Sequence, residues 1–99
     1  MPDEKVAVTA VFQIAPGGED EFVEAAQRVV PPTRAEPGCI EYRLHRHLAR
    51  PGSFALYEGW RSQADLDRHL ATPHIAAFLA QIEPVLAGEV AVELWREIA

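Results

Sequence analysis

Glu58, Trp60, His69 and His74 crowd into one stretch, Tyr57 to Phe78, reading YEGWRSQADLDRHLATPHIAAF. A carboxylate and two imidazoles so close suggest proton transfer. Glu58 lies between Leu56 and Trp60 on what reads as the apolar face of a strand. A carboxylate there must be hydrogen-bonded or raised in pKa. It can serve as a base towards a phenol or hydroxyl proton, or orient His69; the plainer role is to tie the strand to helix N-termini. His69 follows Leu66 by three residues, so both should face the sheet. It reads either as a base or donor for a substrate oxygen, or as a half-buried histidine bonded to backbone. His74 falls in a first helical turn, as a substrate contact or a residue packing on the preceding helix. Trp60 and Phe78 are core residues or pocket walls. Two histidines five apart across a helix break do not have a metal-binding spacing on one helix. His45 and His47 share a strand face with no third ligand visible, and read as solvent-exposed. With no complete ligand set and no glycine-rich fingerprint, neither a metal nor an organic cofactor is expected.

The elements that must position these groups follow from periodicity and punctuation. Val6 to Ile14 reads as a strand with two apolar faces, Val6, Val8, Ala10, Phe12 and Ile14 against Ala7, Thr9, Val11 and Gln13, so it should be central. After the turn Ala15-Pro16-Gly17-Gly18, acidic Glu19, Asp20 and Glu21 suit a helix start. Phe22, Val23, Ala26, Val29 and Val30 form its inward stripe. Pro31-Pro32 should end or kink it, with one further turn through Arg34 allowed. Cys39 to His47 reads as a second strand, with Ile40, Tyr42 and Leu44 inward. Arg50-Pro51-Gly52 reads as a hairpin connection, and Phe54 to Trp60 as the third strand, with Phe54, Leu56, Glu58 and Trp60 on one face. Ser62, with Asp65 closing an acidic capping box, starts a short helix to about Ala71. Thr72-Pro73 starts another, with Ile75, Phe78, Leu79, Ile82 and Leu86 on one face and Pro84 bending its end. Gly88 suits its C-cap, and Val90 to Ile98 reads as a fourth strand.

The order β-α-β-β-α-β is the ferredoxin-like α+β arrangement, a four-stranded antiparallel sheet with its helices on one face. The opposite face would carry Ala7, Val11, Tyr57 and Trp95. That is too apolar for water, so a homodimer is expected. Ninety-nine residues fit one domain, 1–99, with a modest core. A net charge of −6 without a basic run argues against nucleic acid and anionic membranes. No apolar run is long enough to span a bilayer, and Met1-Pro2-Asp3-Glu4 is not expected to begin a signal peptide. The single Cys39 leaves no intrachain disulfide. A cytoplasmic location is expected.

Pro16-Gly17, Glu36-Pro37-Gly38-Cys39 with Tyr42, Tyr57-Glu58-x-Trp60 and His69-x-x-Thr72-Pro73-His74 together resemble the antibiotic biosynthesis monooxygenase family, a dimeric α+β barrel. The set spans nearly the whole chain. The family hosts phenol and quinol oxidation without cofactor, haem degradation, and isomerisation of a phosphorylated signalling sugar. Residues of the haem-degrading branch align with Ala10, His69 and Leu79, and none matches. Those of the polyketide-oxidising branch align with Leu56, Trp60, Leu66 and Ala80, and only Trp60 matches. The His69/Thr72-Pro73-His74 pattern resembles the small quinol monooxygenase-like and signal-sugar isomerase-like members. The resemblance also places pocket residues at Ala10, Leu56 and Trp60.

The expected activity is therefore a cofactor-independent monooxygenase acting on a small phenol or hydroquinone with O₂. Glu58 and His69 would be the catalytic base pair, with Trp60, His74, Phe78, Leu56 and Ala10 binding the substrate. Alternatives are isomerisation of a small hydroxy-carbonyl compound by the same two groups, and a non-enzymatic ligand-binding dimer. Isomerisation of a phosphorylated substrate would favour a cation in the pocket, and the pocket face offers no clear arginine.

Overall fold

The computed structural model describes residues 4–99, so the signal-peptide reading of Met1-Pro2-Asp3 lies outside the described residues. The elements run β1 (Val6–Gln13), α1 (Glu19–Arg34), β2 (Cys39–Arg46), β3 (Ser53–Trp60), α2 (Gln63–Leu70), α3 (Pro73–Ile82) and β4 (Ala91–Trp95). All neighbouring strands are antiparallel, in the order β2-β3-β1-β4. This is the ferredoxin-like α+β topology, with β1 inside the sheet as its two apolar faces require.

The core lies between the sheet and the helices. Val6, Val8, Ala10, Phe12 and Ile14 of β1 meet Phe54, Leu56 and Trp60 of β3, and Phe22, Ala26, Val29, Leu66, Ile75, Phe78 and Ile82 cover them. Phe22 packs at 4.7 Å on Phe54 and 5.1 Å on Phe12, between ring centroids, which seats α1 on the sheet.

Two local readings need correction, and one alternative is decided. Of the outcomes open at Pro31-Pro32, helix α1 takes the further turn and runs on to Arg34. The carbonyls that lose their N–H partners belong to Gln27 and Arg28, both on the exposed side, so the loss is cheap. The last turn is fixed by the fully buried Thr33 and by Arg34, whose Nε donates to the Tyr42 carbonyl at 3.0 Å. In β2 a bulge between Cys39 and Glu41 shifts the alternation, so Ile40 points outward, 53% exposed, while Tyr42 stays buried. The stretch Glu83–Val85 forms a separate 3₁₀ turn after α3 around Pro84, and β4 spans Ala91–Trp95 only.

The helix starts follow the side-chain chemistry. Ser62 accepts the Asp65 N–H at 3.2 Å, and Thr72 accepts the Ile75 N–H at 3.4 Å. Asp65 does more than close a cap. Its carboxylate is 4% exposed, bonds the Ser62 hydroxyl at 3.0 Å and takes guanidinium bonds from Arg61 and Arg68. These partners, Arg61 first, hold its pKa below the usual value. Among the described residues no helix is long and apolar enough to cross a membrane.

The face of the sheet away from the helices carries Ala7, Val11, Tyr57 and Trp95. Tyr57 and Trp95 are 47% and 52% exposed, and Trp95 donates its Nε1–H to Thr9 at 2.9 Å. Arg43 pairs with Glu41 on β2, at one side of this face. Val92 and Leu94, on the other face of β4, are also about half exposed.

Candidate functional site

The site gathers where β3 ends and α2 and α3 begin. A cavity of about 190 Å³ lies between sheet and helices. Its walls are mostly apolar: Val8 and Ala10 of β1, Leu56 of β3, Phe78 and Leu79 of α3, and Val92 and Leu94 of β4 among them. Three polar side chains join these walls: Tyr42, Glu58 and His69. The half-exposed Leu70, Leu79, Val92 and Leu94 place the mouth between α3 and β4.

Glu58 is 6% exposed and accepts the Trp60 indole N–H at 2.9 Å. Burial pushes its carboxyl up to about 7; the indole bond pulls it down, and the negative charge of Glu36 adds to the rise. His69 is 1% exposed, with its ring 4.5 Å from the Trp60 ring and 5.5 Å from Tyr42. Its Nδ1 lies 2.8 Å from Glu36 Oε2. Burial lowers the His69 pKa below its usual value, and the bond to Glu36 partly offsets this. Burial likewise pushes the Tyr42 hydroxyl well above its usual value, and the Cys39 thiol up to about 11. The pocket therefore presents Glu58 as a carboxyl that titrates at about 7, His69 as an imidazole whose charged form burial disfavours, and Tyr42 as a protonated hydroxyl.

The expected partnership between Glu58 and His69 needs correction. Each is bonded elsewhere, Glu58 to Trp60 and His69 to Glu36. Both still line the same cavity, together with Ala10, Leu56 and Phe78. Trp60 is not one of its walls; it is fully buried behind them, where it holds Glu58 and packs against the His69 ring at a tilt of 34°. His74 is not a wall either. Its Nε2 lies 2.8 Å from the same Glu36 oxygen that meets His69. Glu36 was not foreseen as a site residue. It stands in the turn after α1, and the only signal for it is the Glu36-Pro37-Gly38-Cys39 motif. His45 and His47 are exposed as expected, and His47 Nδ1 accepts the backbone N–H groups of Ala49 and Arg50, both at 2.9 Å.

The two histidines, five residues apart across a helix break, share one carboxylate partner. Folding adds Glu36, and the three donor atoms lie within 4.8 Å of one another.

A four-stranded antiparallel sheet with its helices on one face, over an apolar pocket with a carboxyl and an imidazole in its walls, places the chain in the ferredoxin-like α+β class. The model of the antibiotic biosynthesis monooxygenase family matches residues 5–81, and the chain belongs to that family. It is 37% identical over 87 residues to the "Putative monooxygenase Rv0793" of Mycobacterium tuberculosis, covering 88% of this chain and 85% of that one. The solved structure of Rv0793 superposes with a TM-score of 0.91 at 33% identity, over 97% of each chain. PA3566 from Pseudomonas aeruginosa superposes with a TM-score of 0.92 at 29% identity, over 100% of this chain and 99% of that one. The Synechocystis protein sll1783 is 30% identical over 94 residues, 95% of this chain, and this chain spans 64% of its length.

Proposed function

We propose that the protein is a monooxygenase of a small phenol or hydroquinone-type aromatic, working without a cofactor in the oxidation step. The observation that carries this reading is the placement of Glu58 and His69 in the walls of one cavity that is apolar apart from these two and Tyr42. The family and the monooxygenase name of Rv0793 support it. A cavity of about 150 Å³ lined by aliphatic and aromatic groups accepts one benzene ring, so this one suits a single-ring substrate.

The proposed sequence begins with loss of the substrate hydroxyl proton to Glu58 or His69. The electron-rich anion then reacts with O₂ at a ring carbon. One oxygen atom stays on that carbon and becomes a carbonyl. The other leaves as water with the two hydrogens lost from the O–H and the C–H. The substrate supplies all the electrons, so no external reductant enters. The apolar walls keep the anion dry and oriented.

His69 has a defined part in this scheme. Glu36 engages Nδ1 and is not a wall of the cavity, so Nε2 is the nitrogen left to face the substrate. Donation of Nδ1–H to the carboxylate leaves the lone pair on Nε2, the form a base requires. Glu36 is then a positioning residue, and Tyr42 can donate to a developing oxyanion. In this reading the chain acts as a homodimer joined through the sheet face of Val11, Tyr57 and Trp95.

Oxygen uptake with a panel of phenols and hydroquinones, followed by mass spectrometry after ¹⁸O₂ labelling, tests the proposal. One ¹⁸O atom per product molecule is expected. Turnover of a hydroxy-carbonyl compound without O₂ would favour the isomerase. A tightly held ligand with no turnover would favour the binding dimer.

A further inference from the structure

Three donor atoms on three separate segments converge beside the cavity, with His69 supplying one of them. Glu36 stands in the turn after α1, His69 in the last turn of α2 and His74 in the first turn of α3. Glu36 Oε2 is 2.8 Å from His69 Nδ1 and 2.8 Å from His74 Nε2. We propose that Glu36, His69 and His74 form a binding site for a divalent first-row transition cation of the zinc class.

The donor set suits such an ion: two imidazole nitrogens and a carboxylate oxygen are common zinc ligands, leaving one position for water. Zinc binds these donors at about 2.0–2.2 Å, so tetrahedral ligands stand roughly 3.3 Å apart. Seating the ion requires the two 2.8 Å contacts to open by about half an ångström and the His69 and His74 nitrogens, within 4.8 Å of each other, to settle at the same separation. Backbone ties hold the three segments together. Cys39 N–H donates to the Glu36 carbonyl at 3.0 Å, and Arg61 N–H to the Gly38 carbonyl at 2.9 Å. The Thr72 hydroxyl donates to the His69 carbonyl at 2.7 Å while capping the helix that carries His74. Ligands fixed in this way lose little freedom on binding. Side-chain exposure rises from 2% at His69 to 14% at Glu36 and 24% at His74, so the ion enters from the His74 side.

Binding has a consequence for the cavity that rests on the function proposed above. A metal on Nδ1 moves the ring proton of His69 to Nε2, where the scheme needs a lone pair. The ion would convert His69 from a base into a donor and slow turnover.

The test begins with chelator-treated protein titrated with Zn²⁺ by calorimetry, and with Co²⁺ by visible absorption. One equivalent per chain and the absorption bands of a four-coordinate cobalt site are expected. Glu36→Gln and His74→Ala should each weaken binding by ~10-fold or more. His47→Ala should leave it unchanged, with circular dichroism confirming that each variant is folded. Absence of a saturable one-equivalent isotherm would overturn the proposal. So would an isotherm that Glu36→Gln and His74→Ala leave intact, or one that His47→Ala abolishes. If a substrate is turned over, Zn²⁺ should inhibit the parent and not His74→Ala. A protein that turns nothing over leaves the isotherm to decide the metal site by itself.

Discussion

Glu36 Oε2 stands 2.8 Å from His69 Nδ1, so the buried imidazole is oriented by a carboxylate 33 residues away in the chain. The imidazole bridges two regions, with one nitrogen on a partly exposed carboxylate and the ring in the wall of the apolar cavity. Its lowered pKa keeps it neutral near physiological pH, and the carboxylate selects its tautomer.

Replacing Glu36 with Gln should therefore lower kcat on a hydroquinone-type substrate by ~10-fold or more, with KM little changed, because the substrate does not meet Glu36. The ¹⁵N shifts of His69 should change from a single Nδ1–H form to a mixture. The carboxylate favours the protonated ring, so its loss should lower the His69 pKa further. An unchanged tautomer together with unchanged kcat would remove Glu36 from the mechanism.

Glu58 makes a separate prediction through stability. Its folded pKa of about 7 lies above the ordinary 4.5. For a group raised in this way the stabilising contribution is complete below about pH 4.5 and is lost as pH rises through about 7. Glu58→Gln keeps an acceptor for the Trp60 indole and removes the ionisation. Relative to the parent, the variant should gain stability between about pH 4 and pH 8, by at most ~3 kcal/mol. Thermal unfolding of both proteins across that range measures it, and a constant difference would mean that Glu58 is not raised. Turnover in the parent should rise with pH through one apparent titration near 7 if Glu58 is the base.

Much of this arrangement was legible before folding. Strand alternation put Leu56, Glu58 and Trp60 on the inner face, and the spacing from Leu66 turned His69 towards it. The caps at Ser62 and Thr72 were visible because their hydroxyls serve the next turn of chain. The partners of the charged groups were not visible. Periodicity assigns a side chain to a layer, and Glu36 and Glu58 both reach the region of His69. Which one bonds it depends on how the turn after α1 docks on α2, a tertiary event without a local signature. The bulge at Cys39–Ile40 was hidden for a similar reason, since β-branched Ile40 suits either face. The double proline allows either a helix end or one further turn through Arg34, and the contacts of Thr33 and Arg34 that decide for the turn are not revealed by sequence spacing.

The sheet face opposite the helices gives a prediction about assembly. Val11 lies at its centre on β1, between Ala55 of β3 and Ala91 of β4. Val11→Lys would place an unpaired charge in the proposed dimer interface. Sedimentation velocity should show a dimer for the parent and a monomer or unfolded chain for the variant. A parent that sediments as a monomer at micromolar concentration would rule out this assembly.

Gly38 is the position where the site depends most on the backbone. A Cβ there would overlap the Cβ and Cγ of Asp65. Asp65 cannot yield easily, because Ser62, Arg61 and Arg68 hold its buried carboxylate. The turn cannot yield easily either, since the Gly38 carbonyl is bonded to the Arg61 N–H. Gly38→Ala should therefore destabilise the protein by ~1–3 kcal/mol, the usual cost of overpacking. Gly59→Ala is a fitting control. Its nearest new contact is 3.2 Å from Cγ of the Glu41 side chain, which need give only a few tenths of an ångström, so the change should cost much less. The two variants also separate a general loss of stability from a local one. If the turn at Gly38 sets the position of Glu36, Gly38→Ala should disturb the His69 tautomer at temperatures where it is still folded, and Gly59→Ala should not. Equal effects of the two on unfolding temperature and on the His69 signals would show that the close approach of Gly38 to Asp65 does not position the site.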